Sequence, residues 1–382
     1  MSEIKVNSIK GVGASSAAIT VNNTDGTCTA NLSNRQNRNL VINGAMQVAQ
    51  RGTSSTGLGA SAGYFTLDRY RATFSSTAGR LTMSQVADVH DGFANAMKLE
   101  CTTADTSIGS SEYFILQHKF EGQDLQQLKK GSSDAEEFTV SFYVKGNANA
   151  TYVVEMYDLD NNRQVGKTFS VTTSWTRVVL TFPADTTGAL DDDNAASLQL
   201  GIWLHAGSNY TSGTLATSWV SNVSAQRAGG ITSFFDSTDR TFFLTGLQME
   251  VGSVATDFEP RSFAQELALC QRYYQTIGVG FITACRGASS SQLLYSYTPP
   301  VNMRASPTIS TTATGFHSSF GVRSYRDGSG TSDSTTTPAT VSLYWQEINP
   351  TIHLTQTGFS VTDDRSATIF VNGGAITLSA EL

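Results

Sequence analysis

The chain has 382 residues, a formal net charge of −7 and only 15% charged residues, with 33 glycines and abundant Ser, Thr and Asn. That length accommodates two or three domains, and the acidic balance excludes nucleic acid as the main partner, because binding phosphates needs clustered cations. Helix formers are diluted by β-formers and turn residues, so the expected class is all-β.

Residues 1–38 differ from the rest. Lys5, Lys10, Arg35 and Arg38 outnumber Glu3 and Asp25, and Ala18-Ile19-Thr20-Val21 is a short strand with no core of its own. A segment this poor in apolar residues is flexible until a partner orders it, which suits an attachment arm as well as a tail. From 39 to 260, short β-type runs follow one another. Phe138, Val140, Phe142 and Val144 alternate with Thr139, Ser141 and Tyr143, the pattern of a half-buried strand. Val178, Leu180 and Phe182 repeat it, as do Leu198, Leu200, Ile202 and Leu204, and Tyr113 to Phe120 is a further strand. Gly146, Asn161-Asn162 and Gly207 punctuate the runs. Many short strands in this span predict a jelly-roll β-sandwich.

Phe243, Leu247, Met249 and Val251 then share one face of a closing strand, interrupted by Thr245. Gly252 and Pro260 end it, and Ser262 with Gln265 forms a capping-box pattern. A connecting helix is expected within 261–278, with Phe263, Leu267, Cys270 and Tyr274 on its buried stripe and a length of roughly three to four turns. Residues 279–382 carry strand candidates at Leu293-Leu294-Tyr295, Leu343-Tyr344-Trp345 and Thr368-Ile369-Phe370-Val371 and form a smaller C-terminal β-sandwich, with 327–339 an exposed loop.

No apolar run approaches a membrane span, and the Met1 end has no signal-peptide core. Cytoplasmic synthesis and no membrane insertion follow as expectations. Cys28, Cys101, Cys270 and Cys285 lack metal-ligand spacing and are expected as free thiols, with a Cys270–Cys285 bridge as the lesser alternative.

Chemistry is sparse. His90, His118, His205, His317 and His353 are scattered without metal spacing, and no nucleophile elbow or phosphate loop is present. Glu112, Glu121 and Glu155 are the candidates for a glycosidase pair, but solvated carboxylates are the stronger reading, so no enzyme is expected. Asp191-Asp192-Asp193-Asn194 is the densest oxygen cluster, more consistent with a solvated loop than with calcium. The sharper idea concerns aromatic rings. Alternation in 198–205 places Trp203 and His205 opposite the core face, and the same logic turns Tyr143 outward and sets Tyr157 with Glu155 opposite Val154 and Met156. Exposed rings flanked by hydrogen-bonding groups suit sugar faces, although contact with a neighbouring subunit or loop is the somewhat stronger reading of such rings. Trp203, His205, Tyr143, Tyr157 and Glu155 are therefore the candidate glycan-binding residues.

Several stretches carry a family resemblance. Asn39-Leu40-Val41-Ile42-Asn43-Gly44, Gln50-Arg51-Gly52-Thr53, Asp68-Arg69-Tyr70, Phe138 to Val144, Ser174-Trp175-Thr176-Arg177-Val178 and the block Leu244 to Tyr274 occur in an order and spacing similar to bacteriophage tail-fibre and virion structural proteins with carbohydrate-module-like jelly rolls. Val301 to Thr308 resembles the segment following the same helix in tail proteins. The chain departs at Val48-Ala49, where family members place an aromatic. The resemblance implies a trimeric tail fibre, located on the virion, that attaches to other virion proteins through residues 1–38 and recognises a host-surface glycan or receptor. A capsid-decorating or head-fibre protein is the alternative, and a glycan-degrading tail spike comes third. It also implies a structural calcium where first and last strands meet, near Asp257 and Glu259.

Overall fold

The computed structural model describes residues 6–10, 12, 19–21, 24, 28–30, 37–277, 282–289, 292–311, 320–325, 331–334, 341–344, 352–357, 366–371 and 376–382. Near the N-terminus, β1 (Ser8–Ile9), β2 (Ile19–Val21) and β3 (Cys28–Ala30) form a small antiparallel sheet. The expected strand around Ile19 is thus present, paired locally with its neighbours.

The main body is a β-sandwich. Its strands in chain order are β4 (Ser54–Leu58), β5 (Gly63–Tyr64), β6 (Arg71–Ser75), β7 (Arg80–Val86), β8 (Ala96–Thr103), β9 (Tyr113–Glu121), β10 (Phe138–Gly146), β11 (Ala150–Asp158), β12 (Arg163–Val171), β13 (Thr176–Phe182), β14 (Ala196–Ala206), β15 (Val220–Ser221) and β16 (Thr241–Val251). One sheet has the order β13-β10-β16-β8-β7-β4 and the other β15-β12-β11-β14-β9-β6-β5. Alternate residues of each strand point between them, which is why the alternating runs of the sequence became these strands. The core is rich in rings: Phe74 stacks on Phe114 at 4.6 Å, Phe138 on Phe182 at 5.3 Å, and Phe142 meets Phe169 edge-on at 5.1 Å.

One parity expectation is overturned in β16. Leu247 and Met249 face the core, but so do Phe242 and Leu244, while Phe243 lies on the outer side against Trp175. The register between β10 and β16 slips between Ser141 and Tyr143, where Gly246 adopts φ 63°. This β-bulge adds one residue and inverts the facing of everything before it. Glycine is required there twice over, because a Cβ would also lie 2.6 Å from the Phe93 ring.

After the sandwich comes α2 (Phe263–Gln271), preceded in the chain by the one-turn α1 (Ser208–Thr211). Ser262 caps α2: its hydroxyl accepts from the Gln265 N–H while the Gln265 side chain accepts from the Ser262 N–H. The buried stripe is only in part the expected one, Cys270 being the member that is buried within the helix. Glu266 and Cys270 are buried, Phe263 is 57% exposed, and Tyr274 has already left the helix. Nine residues make about two and a half turns, shorter than expected. The stripe is polar because Glu266 has a buried partner: its Oε1 accepts from the Asn43 N–H at 2.5 Å, with the Arg261 guanidinium 3.4 Å away.

Beyond α2, β17 (Tyr274–Ile277) joins the sheet order β17-β26-β20, and β18 (Ile282–Ser289), β19 (Gln292–Tyr297), β20 (Thr308–Thr311), β21 (Phe320–Tyr325), β22 (Thr331–Ser334), β23 (Val341–Tyr344), β24 (Ile352–Thr357), β25 (Ser366–Val371) and β26 (Ile376–Ser379) follow. Strands β18, β19, β21, β22, β23, β24 and β25 form a sheet of order β22-β21-β25-β18-β19-β24-β23. The strand candidates at 293–295 and 368–371 lie in β19 and β25, and that at 343–345 in β23 except for Trp345, which is outside the described residues. β22 occupies part of the stretch expected as a loop at 327–339. Among the described residues the fold is nearly all-β, with two short α-helices, as the composition implied.

Cys101 and Cys270 are free, buried thiols, and burial raises both, Cys101 to about 11. The side chains of Cys28 and Cys285 lie outside the described residues. Among the described residues no helix is long and apolar enough to cross a membrane.

Candidate functional site

The five residues singled out for sugar contact do not share a surface. Trp203, His205, Glu155 and Tyr157 sit on the outer side of the seven-stranded sheet, as alternation requires, whereas Tyr143 sits on the outer side of the other sheet. The expectation that Trp203 and His205 stand exposed fails: both are 0% exposed, and Glu155 is 1% exposed. The segment that leaves β14 and returns to β16 folds back over this face. Ile115, Val153, Trp203, Ala206 and Ala228 form a second apolar cluster there, with Tyr113, Tyr210, Leu215 and Ile231 around it.

A buried polar pin holds that cover. The Trp203 Nε1–H donates to Glu155 Oε2 at 2.8 Å, and Arg227 from the covering segment makes a two-pronged pair with the same carboxylate at 2.6 and 2.7 Å. The guanidinium lies 4.6 Å from the half-buried Tyr157 ring and 5.0 Å from the Trp203 ring. Such a pair repays the desolvation of both ions only with this geometry. Glu155 is therefore committed to structure. So is Glu121, fully buried and paired through two hydrogen bonds with Arg272 at 2.8 and 2.6 Å, which holds its carboxyl below the usual range against the opposing effect of burial. Of the three carboxylates considered for a hydrolytic pair, Glu121 and Glu155 are thus each held by an arginine, whereas Glu112 is not.

The outer face of the six-stranded sheet is different. Strand parity in β10 presents Tyr143 and Lys145, the inverted part of β16 presents Phe243, and the β12–β13 turn brings in Trp175. Trp175 and Phe243 meet edge-on at 6.2 Å, with Lys145 Nζ 5.4 Å from the first ring and 4.8 Å from the second. Lys145 is oriented by both oxygens of Asp88 at 2.6 and 2.7 Å. Beside them the His90 ring lies 4.1 Å from Tyr143, tilted by 31°, and Phe93 continues the row toward Phe258 at 5.1 Å. Arg177 faces Tyr143 across the β10–β13 register, and Lys98 with Glu100 at 2.6 Å adds a further pair of charges. Trp175, Tyr143, His90 and Phe93 are half-buried, and the Trp175 Nε1–H has no hydrogen-bond partner. Sequence reasoning reached Tyr143 alone here. Phe243 was hidden by the bulge, and Trp175, His90 and Phe93 come from loops where alternation says nothing.

Asp257 and Glu259 lie beside residues 37–39 in the segment after β16, and the Glu259 carboxylate is already occupied. It accepts from the N–H groups of Asn37 at 2.6 Å and Asn39 at 2.8 Å. Asp257 is exposed and offers its carbonyl to Arg38 at 2.7 Å. Asp191, Asp192, Asp193 and Asn194 form an exposed loop.

Depressions in the surface of the described residues include two of note. One, of about 530 Å³, is lined by Ser208, Asn209, Tyr210, Ser212, Ser224 and Ala225 of the covering segment. The other, of about 660 Å³, lies between α2 and the 301–302 turn, with Arg261 and Arg272 in its wall. Both arginines are engaged: Arg261 donates to the carbonyls of Val41 and Asn39, and Arg272 holds Glu121.

The motifs of the resemblance converge on one buried joint. Gln50 donates to Asp68 at 2.5 Å and to the Tyr274 carbonyl at 2.8 Å, while Arg51 lies 3.5 Å over the Tyr274 ring and pairs with Glu381 at 3.0 Å. Arg69, in a left-handed conformation at φ 73°, lies 3.4 Å over Tyr273 and pairs with Glu381 at 2.5 Å. Burial pushes Asp68 up to about 6 despite Gln50 and Arg51.

Fold and strand pairing define an antiparallel β-sandwich of jelly-roll type. No protein-family model matches the chain, and no match is found among curated proteins. Solved structures similar to it include a family 4 carbohydrate-binding module (12% identity, 55% of this chain and 97% of that one, TM-score 0.29). Another is the family 11 module of a cellulosomal cellulase of Clostridium thermocellum (10%, 52% and 95%, 0.26). A third is a CBM22-1 xylan-binding domain from Paenibacillus barcinonensis (13%, 48% and 87%, 0.25).

Proposed function

We propose that the chain recognises a glycan through the outer face of its six-stranded sheet. The observation that carries this reading is the row of aromatic rings Trp175, Phe243, Tyr143, His90 and Phe93, interleaved with Lys145, Asp88 and Arg177. Rings supply apolar contact to the faces of sugars, and the charges fix hydroxyl orientation. A glycan array probed with the whole chain tests this: wild type binds a defined glycan class, and Trp175→Ala loses it. Equal signals from both proteins would remove the face from consideration.

The particle setting is proposed on the sequence resemblance. The chain is a virion structural protein, a trimeric tail fibre attached through residues 1–38, rather than a head fibre or a glycan-degrading spike. Val179 and Val254, 47% and 58% exposed near the aromatic face, favour a subunit contact beside it. Antibody labelling of intact particles against residues 279–382 places the signal on tail appendages in this account and over the head in the alternative. Sedimentation of the purified chain as a monomer would remove the trimer.

A further inference from the structure

Seven carboxylates buried among the described residues have an arginine or lysine partner: Asp68 with Arg51, Glu121 with Arg272, Glu155 with Arg227, Asp158 and Asp185 with Lys130, Glu250 with Arg38, and Glu266 with Arg261. Asp105, 4% exposed, has none among the described residues. It faces instead a second carboxylate, Glu112, and an imidazole, His205. One ligand-type atom from each of the three lies within 4.8 Å of the other two. Two carboxylates and a ring held together without a cationic side chain leave a place for a cation.

The imidazole shows where. His205 is fully buried at the end of β14, and its Nδ1 lies 2.8 Å from the Ser233 hydroxyl. The Ser233 oxygen also accepts from the Phe235 N–H at 3.1 Å. With Nδ1–H donating to Ser233, the Nε2 lone pair points at the carboxylates. Nε2 has no hydrogen-bond partner, and neither does Glu112 Oε2, 3.6 Å away. A histidine whose far nitrogen is held by a hydrogen bond while the near one is bare is the usual arrangement of a metal ligand. Asp105 is braced too: its Oδ2 accepts from the Thr77 hydroxyl and the Ala78 N–H, both at 2.8 Å.

We infer that Asp105, Glu112 and His205 form a binding site for one divalent first-row transition ion of the zinc class. Bond lengths of roughly 2.0–2.2 Å to nitrogen and oxygen put tetrahedral ligand atoms ~3.3–3.5 Å apart, close to the His205–Glu112 separation. An imidazole ligand disfavours calcium and magnesium, which take oxygen shells. The three side chains supply three ligands, and a water molecule would complete a tetrahedral shell. The ion joins three segments: the loop after β8, the turn before β9, and the end of β14 with the 233–235 stretch, where Phe235 accepts from the Asp105 N–H at 2.8 Å and Phe234 donates to Leu204 at 2.7 Å. Its role is to staple the covering segment to the sandwich, independently of any glycan role.

The test uses the full chain, stripped with chelator and titrated with Zn²⁺ by calorimetry and with Co²⁺ by absorption. Expected are one ion per chain, the intense visible bands of a tetrahedral Co²⁺ site, and a rise in Tm with added Zn²⁺. Glu112→Gln, which keeps size and partial exposure, is expected to weaken uptake at least 10-fold, and His205→Gln to abolish the Co²⁺ bands. Should the buried His205 variant fail to fold, Glu112→Gln decides alone. No stoichiometric uptake by the wild type, or the same affinity in Glu112→Gln, overturns the site and leaves the three groups as a proton-sharing cluster.

Discussion

At the residue scale, the buried charges are joinery. Arg227 and Glu155 clamp a cover onto Trp203, Arg272 and Glu121 tie α2 to the sandwich, and Arg51, Arg69 and Glu381 tie the last residues of the chain to its first motifs. Asp68 sits in the third of these joints and carries a testable consequence. Its carboxyl is raised from 3.8 to about 6 by burial, so the folded chain holds that proton more tightly than the unfolded one. The associated stability is present in full below pH 3.8 and is lost as pH rises through 6, by on the order of 3 kcal/mol for a shift of this size. The stability difference between wild type and Asp68→Asn should therefore fall with rising pH across that window, measured by urea unfolding at a series of pH values. A flat difference would mean that Asp68 titrates normally. None of this was legible beforehand: Asp68-Arg69-Tyr70 drew notice only through resemblance, because partners such as Glu381 lie about three hundred positions away along the chain.

At the element scale, period-two alternation read most of the sandwich correctly, and two local features defeated it. The bulge at Gly246 inverted the facing of Phe243, which no pattern of apolar residues signals, since Phe242 and Phe243 are both phenylalanine. The cover over Trp203 was invisible for another reason. Residues 207–231 are rich in Ser, Gly, Thr and Asn and look like solvent-facing loop, yet Ala228 and Leu215 suffice to close over a tryptophan. Helix α2 misled in the opposite sense, exposing Phe263 and burying Glu266 because a backbone N–H of Asn43 waits there. Gly246→Ala tests the bulge. A left-handed φ and a 2.6 Å approach to Phe93 both oppose a Cβ, so a loss of about 1–3 kcal/mol is expected in chemical denaturation, together with a change in the Tyr143 and Phe93 environments by NMR. An unchanged unfolding midpoint would show that the bulge is not held by these constraints.

At the scale of the whole molecule, the sandwich has two outer faces with different fates. The seven-stranded sheet is covered by its own chain and pinned, and on the inference above that cover is also stapled by a metal ion. The six-stranded sheet keeps Trp175, Tyr143, His90 and Phe93 half-buried, with Phe243 buried beside them, near the loops at 87–93 and 252–258. Alternation placed Trp203, His205 and Glu155 on the outer side of their sheet, where they lie, but it distinguishes inside from outside within one sheet and carries no information about what later folds over it.

The most direct test is a titration of the purified full chain with an array-identified glycan, comparing wild type with Tyr143→Ala. Removing the ring takes away one stacking surface and the support of His90, so binding should weaken ~5–10-fold, about 1–1.4 kcal/mol, with both proteins folded by circular dichroism. Unchanged affinity in the variant, or a wild type that binds no glycan, would contradict the account.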